Sequence, residues 1–273
     1  MLRRFPAPAK LNLSLVVGPR RSDGKHEVTT VLQRVDLCDR LTVAPAPRLR
    51  VLGFPADTLV TRALSALGAA AGVDPAWEVR IWKRIPLAAG LGGGSSDAAT
   101  ALRLANGTLA DPLPPDRLRE LAAELGSDVP FFLAPGPQLG EADGSALSPL
   151  DLPQDFWVVL LLPLAERKQS TAAVYAEFDR RGGERGHAER RNALREALAG
   201  IRRPRDLAAL PPNDLVSSPL ADELRTAGAF RADVSGAGPI VYGLFQRLAA
   251  ARAAKRSLSH LGRIWLTVPS WYG

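Results

Sequence analysis

Alternating apolar and polar positions open the chain. From Ala7 to Val17, Leu11, Leu13 and Leu15 fall on one side of a period-2 pattern, and Lys10, Asn12 and Ser14 fall on the other. The pleat of a strand requires such alternation. It predicts an early strand with one buried face, whose polar face carries Lys10 and Asn12 side by side. Arg20-Arg21-Ser22-Asp23-Gly24 supplies turn chemistry, and further strand patterns cover Glu27 to Val35 and Arg40 to Ala44. Asp57 to Ala71 is rich in Ala and Leu at helical spacing, and Gly72 is placed to end that helix. Trp77 to Trp82 alternates again.

Two more helices follow from composition and stop signals. One is Asp97 to Ala105, closed by Asn106-Gly107, and the other is Pro115 to Leu125, closed by Gly126. The stretch Ala134 to Pro153 is rich in Pro, Gly and Asp and precedes the most apolar strand pattern, Phe156 to Ala165. A domain boundary near residue 150 is expected there, dividing the chain into 1–150 and 151–273. The second part alternates helices near 171–180, 187–200 and 219–227 with strands near 230–234, 240–245 and 263–268. Arg180 to Gly186 reads as a mobile basic loop. The predicted fold class is α+β in two parts, with no internal repeat.

Hydrophobic residues at 46% and charged residues at 23% exclude disorder throughout, collagen and coiled-coil architectures. The formal net charge is +7, yet only five of the 35 cations are lysines (Lys10, Lys25, Lys83, Lys168 and Lys255), and the cations are spread along the chain. An aromatic content of 6% offers few stacking platforms for bases. A dispersed positive field favours a small anionic substrate over nucleic acid. Cys38 is the single cysteine, so no internal disulfide framework exists. The longest apolar run, Phe156 to Ala165, is far below the roughly 20 residues that span a bilayer. The basic start is followed by no apolar signal region. No membrane role and a cytoplasmic location are expected.

The sharpest chemical feature is the loop Pro86-Leu87-Ala88-Ala89-Gly90-Leu91-Gly92-Gly93-Gly94-Ser95-Ser96, set between a strand and a helix. Glycine there costs backbone entropy on ordering, which makes sense where the chain must approach a ligand without Cβ atoms in the way. Ser95 or Ser96 is predicted to cap the helix, and the helix N-terminus attracts phosphate through backbone N–H groups and its dipole. A valine at Gly93 is expected to stand in the phosphate path. No Gly-Lys-[Ser/Thr] ends the loop and the G-x-G-x-x-G spacing fails, so it is neither a Walker A loop nor a dinucleotide fingerprint. Taken singly, Lys10 reads as a solvated strand lysine and Asp128 as a helix cap. Val234-Ser235-Gly236-Ala237-Gly238-Pro239 reads as a tight turn.

Together these elements, in this order, resemble the GHMP small-molecule kinases. Pro8-Ala9-Lys10-Leu11-Asn12-Leu13, the Pro86 to Ser96 loop and Ser235-Gly236-Ala237-Gly238 carry the resemblance. So do Asp23-Gly24-Lys25-His26-Glu27, Gly126-Ser127-Asp128-Val129-Pro130-Phe131-Phe132, Ser170-Thr171 and Asn213-Asp214-Leu215. The similarity spans most of the chain and is greatest to the branch whose acceptor is a cytidine-diphosphate-linked methylerythritol, in non-mevalonate isoprenoid precursor synthesis. It implies a two-lobed fold: an N-terminal domain like ribosomal protein S5 domain 2, and a ferredoxin-like α/β sandwich whose last strand returns to the first lobe. It also implies transfer of the γ-phosphoryl group of ATP, with Mg²⁺, to a substrate hydroxyl. Lys10 and Asp128 match the catalytic pair, and Pro86 to Ser96 matches the ATP-phosphate loop. Asn12, Lys25, His26, Thr171 and Tyr175 match substrate-side positions. The metal ligands stay open, as does the choice between monomer and homodimer. An acceptor such as homoserine or a mevalonate-like alcohol is the alternative.

The chemistry suits these roles. Phosphoryl transfer is mostly positioning and stabilisation of charge on the transferred group. Asp128 offers a carboxylate to the acceptor hydroxyl proton, and Lys10 would place positive charge near the transferring phosphoryl. Two departures stand out. Lys25 occupies a position where the branch usually has Tyr, and Leu32 one where an aromatic ring is common.

Overall fold

The computed structural model describes residues 3–54, 58–164 and 170–270. Asp57, Ala165 and Lys168 lie outside the described residues. Strand β1 (Phe5–Arg20) pairs antiparallel with β2 (His26–Pro45) along almost its whole length. The two strands expected at 27–35 and 40–44 are therefore one. Pro8 pairs with Cys38 and Ala9 with Val35, so Asp36 and Leu37 are extra residues in a bulge that bends the strand without ending it. The Asp36 N–H donates instead to the Val268 carbonyl at 2.9 Å.

The predicted alternation of β1 needs a correction on two counts. A second bulge, between Asn12 and Ser14, reverses its phase. Leu11 and Leu13 enter the core, but beyond the bulge Val16 takes that side and Leu15 faces a cleft. The polar face is also not solvated: Lys10 and Asn12 are 5% exposed and Ser14 1%. Hydrogen bonds satisfy them, as burial of polar groups requires.

Next come β3 (Arg50–Leu52), α1 (Thr58–Ala71) and β4 (Trp77–Trp82), with β4 antiparallel to β2 and parallel to β3. Helices α2 (Gly93–Asn106) and α3 (Pro115–Leu125) follow, then a 3-10 turn at Pro130–Phe132. Within the Pro/Gly-rich stretch lies a hairpin, β5 (Gln138–Glu141) and β6 (Ala146–Pro149), and β5 joins β2. The first sheet runs β3-β4-β2-β5-β6, with β1 on the other edge of β2. Helices α1 and α2 pack on it through Val60, Leu64, Leu67, Ala98 and Leu102, all fully buried.

The second half comprises β7 (Trp157–Pro163), α4 (Thr171–Arg180), α5 (His187–Gly200), a 3-10 turn at Pro204–Ala209 and α6 (Leu220–Thr226). Strands β8 (Arg231–Val234) and β9 (Val241–Phe245), helix α7 (Leu248–Ser257) and strand β10 (Gly262–Thr267) complete it. The second sheet is antiparallel in the order β10-β7-β9-β8. Helix α7 was absent from the sequence expectations, although its buried Ala251 and Ala254 stand opposite the exposed Arg252, Lys255 and Arg256. Strand β10 stays in the second sheet, and the chain returns to the first only beyond it, through a Val35–Pro269 bridge and a Ser270 N–H to Arg34 carbonyl bond of 3.0 Å.

One apolar core joins the two halves. Leu11 and Leu13 of β1 pack with Val158 and Leu160 of β7 and with Tyr242 and Leu244 of β9, all 0% exposed. Such a sheet-to-sheet contact leaves the other face of β1 free to build a cleft. The fold is α+β. Among the described residues no helix is long and apolar enough to cross a membrane.

Candidate active site

A cleft of about 700 Å³ opens along the polar face of β1. Its walls include Lys10, Asn12, Lys25, His26, Asp128, Thr171 and Tyr175, drawn from β1, the β1–β2 turn, β2, the turn after α3 and the first half of α4. Lys10 Nζ donates to Asn12 Oδ1 at 2.6 Å and stands 3.5 Å from Asp128 Oδ2. The lysine side chain is 6% exposed and that of Asp128 is 41% exposed, so a nearly buried ammonium faces a carboxylate open to the cleft. Asn12 is fixed in turn: its Nδ2 donates to Thr30 Oγ1 at 2.8 Å, and that hydroxyl donates to the Ser14 carbonyl.

The glycine loop is pinned directly beneath this pair. The Lys10 N–H donates to the Leu91 carbonyl at 2.9 Å, and Ser235 Oγ donates to the Gly90 carbonyl at 3.1 Å while accepting from the Asn12 N–H. Gly90 has a φ of 82°, and a Cβ there would stand 2.2 Å from the Ser235 carbonyl oxygen. Only glycine fits. Of the eleven loop residues predicted to hold phosphate, Ala88, Gly90, Gly92 and Ser95 line the cleft. Ala89 and Leu91 are buried anchors, 1% exposed, while Leu87 points outward at 61%. Pro86, Gly93, Gly94 and Ser96 do not line the cleft either.

Helix α2 begins earlier than expected. Gly92, at a φ of 66°, is its N-cap, and Ser96 N–H already bonds the Gly92 carbonyl at 2.9 Å. Neither Ser95 nor Ser96 caps the helix, because both lie inside its first turn. No side chain caps it, which leaves backbone donors for an anion. Ser96 Oγ is buried without a hydrogen-bond partner. A Cβ on Gly93 would meet Ile85 at 3.1 Å and Lys83 Nζ at 3.5 Å, so a valine there would collide with the scaffold and not enter the phosphate path. Backbone donors at the α2 N-terminus, with Gly90 and Gly92 adding no side chain to the cleft wall, fit the phosphates of a nucleotide.

On the opposite wall, His26 Nε2 and Asp179 Oδ1 are 2.7 Å apart, and the His26 ring lies 4.8 Å from the Tyr175 ring at 33°. Burial, with the Asp128 charge second, pushes the Tyr175 phenol up to about 12. Thr171 opens α4, whose N-cap Ser170 accepts from the Ala173 N–H. Lys25 Nζ donates to Asp143 Oδ2 at 2.5 Å, and Ser127 Oγ donates to the same oxygen at 3.0 Å. Burial would raise the Asp143 carboxyl, but hydrogen bonds from Lys25, Ser145 and Ser127 hold it well below the usual carboxylate range. Leu32 is 1% exposed, set away from the cleft lining.

Two other groups around the site, Lys83 and Asp39, carried no sequence signal. Lys83 Nζ bridges Asp39 and Asp97, both with side chains 0% exposed, at 2.5 and 2.7 Å. Burial alone would lower the Lys83 ammonium, but the Asp97 charge and hydrogen bonds to Asp39 and Asp97 raise it. Lys83 precedes the glycine loop and Asp97 follows it in sequence, but Asp39 joins them only through the β2–β4 pairing. Asn213-Asp214-Leu215 is scaffold: Asn213 Nδ2 donates to the Val234 and Gly236 carbonyls, and Asp214 Oδ2 accepts from the Val17 N–H and Arg190. The basic stretch 180–186 is tied down rather than loose, since Arg181 donates to the Asp214 and Leu215 carbonyls and Gly183 packs against Phe178.

Residues 58–136 match the N-terminal domain of GHMP kinases, and residues 189–264 match the GHMP kinase C-terminal domain. The fold and the cleft thus belong to a class of ATP-dependent phosphotransferases. A 4-diphosphocytidyl-2-C-methyl-D-erythritol kinase of Kineococcus radiotolerans is 40% identical over 93% of this chain and 85% of its own. A crystal structure of 4-(cytidine 5'-diphospho)-2C-methyl-D-erythritol kinase superposes with a TM-score of 0.79 at 33% identity, covering 98% of this chain and 99% of that one. Mevalonate kinase of Methanococcus jannaschii shares the fold, with a TM-score of 0.77 at 14% identity over 99% of each chain. The chain belongs to the family of 4-diphosphocytidyl-2-C-methyl-D-erythritol kinases.

Proposed function

We propose that the protein transfers the γ-phosphoryl group of ATP to the 2-hydroxyl of 4-diphosphocytidyl-2-C-methyl-D-erythritol. The products are the 2-phosphate and ADP, in the non-mevalonate route to isoprenoid precursors. The observation that carries this reading is the Lys10–Asp128 pair, set 3.5 Å apart in one cleft with the uncapped N-terminus of α2. Bound Mg²⁺-ATP supplies the phosphoryl group and neutralises charge on it. The chain's own part is positioning. The α2 N-terminus and the Gly90–Gly92 backbone bind the phosphates, and Ser95 offers a hydroxyl on the cleft wall, as Mg²⁺ commonly takes one or two protein oxygens beside phosphate oxygens. Asp128 accepts or orients the proton of the acceptor hydroxyl, a role that contributes about 10²–10⁴-fold. Lys10 adds positive charge where negative charge gathers on the transferring group.

His26, Tyr175 and Thr171 form the acceptor side, with Asn12 bridging the two. Lys25 replaces a ring with a point charge held by Asp143. The test is ADP release with the cytidine-linked acceptor set against mevalonate and homoserine. The proposal expects kcat/KM for the cytidine-linked acceptor to exceed the others by orders of magnitude, and comparable or higher rates on either small alcohol contradict it. Restoring a ring with Lys25→Tyr is expected to lower the KM for the cytidine-linked acceptor by about fivefold, since one stacked base is worth roughly 1–3 kcal/mol, with the ATP KM unchanged. An unchanged acceptor KM would place residue 25 outside the recognition surface.

A further inference from the structure

Directly across the β1–β2 pair from Lys10 stands Arg34. Residues opposed in this way project from the same face of the sheet, so one face presents both cations. Arg34 is 1% exposed, among the largest fully buried side chains of the protein. Its guanidinium meets no carboxylate among the described residues. Its acceptors there are backbone carbonyls: Phe131 and Ala134 through Nη2, and Gly136 through Nη1. The Phe131 ring lies 4.7 Å from the guanidinium carbon. Burial, helped by the charge of Arg103, brings the Arg34 pKa down to about 10.

A buried cation without a counter-ion is costly, so its location needs a reason. All three acceptors fall within residues 131–136, immediately beyond Asp128. That segment is one hydrogen-bonded unit: Val129 N–H bonds the Gly126 carbonyl at 3.0 Å, Phe132 N–H bonds the Val129 carbonyl at 3.1 Å, and Leu133 N–H bonds the Pro130 carbonyl at 3.0 Å. Asp128 sits inside the first of these turns, so a shift of the Phe131–Ala134 backbone is passed to its carboxylate.

We propose that Arg34 is a positioning residue for phosphoryl transfer: by gripping the carbonyls after Asp128 it locks the turn that carries Asp128 onto the strand pair that carries Lys10, and so sets the 3.5 Å approach of the pair. The inference rests on the catalytic-pair reading above. Arginine suits the task because its rigid, planar fork carries donors on separate nitrogens in a fixed geometry, whereas all the donors of a lysine radiate from one nitrogen on a flexible stem.

Arg34→Lys keeps the charge and removes the fork. Its kcat is expected to fall about tenfold or more, since a displacement near 1 Å at a reacting group can cost about 10²-fold, while ATP affinity measured by calorimetry stays within twofold. In an Asp128→Asn background the same substitution is expected to lower the residual rate by less than twofold. A kcat per folded molecule within twofold of wild type, or an equal loss in both backgrounds, overturns the proposal and leaves Arg34 as packing. If Arg34→Lys fails to fold, Phe131→Leu removes the ring over the guanidinium and keeps the carbonyls. A kcat loss above threefold with unchanged ATP affinity then supports the proposal, and an unchanged kcat overturns it. Wild-type turnover by Asp128→Asn alone would overturn the catalytic-pair reading and this inference with it, whereas loss in Asp128→Asn with none in Arg34→Lys overturns this inference alone.

Discussion

Gly90 shows how tightly single residues are specified around the cleft. Its left-handed backbone and the Ser235 carbonyl 2.2 Å from any Cβ mean that Gly90→Ala combines conformational strain with a backbone collision. The substitution is expected to lower stability by about 2–4 kcal/mol and to weaken ATP binding, read by thermal denaturation and nucleotide titration. An unchanged melting temperature would show that the loop relaxes freely. Lys10, Asn12, His26, Asp128, Thr171 and Tyr175 could be singled out in the sequence only through the resemblance to the GHMP kinases, since Lys10 and Asp128 taken singly read as a solvated strand lysine and a helix cap. Asp39, Asp143, Asp179 and Arg34 could not. Their partners are remote in sequence, from Lys25 against Asp143 to His26 against Asp179, and only the pairing of distant elements brings them together.

At the scale of elements, the Lys83–Asp39–Asp97 cluster ties the end of β4 and the middle of β2 to the first turns of α2. Lys83→Met leaves two buried carboxylates without their cation, a loss of about 3–5 kcal/mol that differential scanning calorimetry would register. Because the folded-state pKa of Lys83 is raised, its contribution is fully present below the unfolded value of about 10.4 and fades as pH rises through the higher folded value. Wild-type stability should thus fall in strongly alkaline solution, and Lys83→Met should fall less. A parallel loss in both would assign the alkaline limb to other groups. Most elements were legible as periodicity and stop signals, including β4, α1, α3, α5 and β9. The β1 bulge was not, because an extra residue reverses phase without altering composition. The α2 start was misplaced because a left-handed glycine, and not a serine side chain, begins the helix.

For the whole molecule, the decisive feature is the core shared between the sheets. Leu11 and Leu13 from the first half are buried against Val158, Leu160, Tyr242 and Leu244 from the second, so neither half keeps its apolar face covered alone. We therefore expect one cooperative unfolding transition, and Leu160→Ala is expected to cost about 2–5 kcal/mol while shifting fluorescence and far-UV signals together. Two separated transitions would show independent lobes. The sequence indicated two parts and could not indicate the shared core, since β7 follows β1 by nearly 150 residues and β9 by about 230. That core holds the back of β1 while its front carries Lys10 toward Asp128, so global packing and site geometry depend on one strand. The central claim is that this pair performs phosphoryl transfer. The most direct measurement is ADP release from Mg²⁺-ATP with 4-diphosphocytidyl-2-C-methyl-D-erythritol, wild type beside Asp128→Asn. The account predicts wild-type turnover and a loss of about 10²–10⁴-fold in a variant that still folds and binds ATP. Near-normal turnover in Asp128→Asn would contradict it.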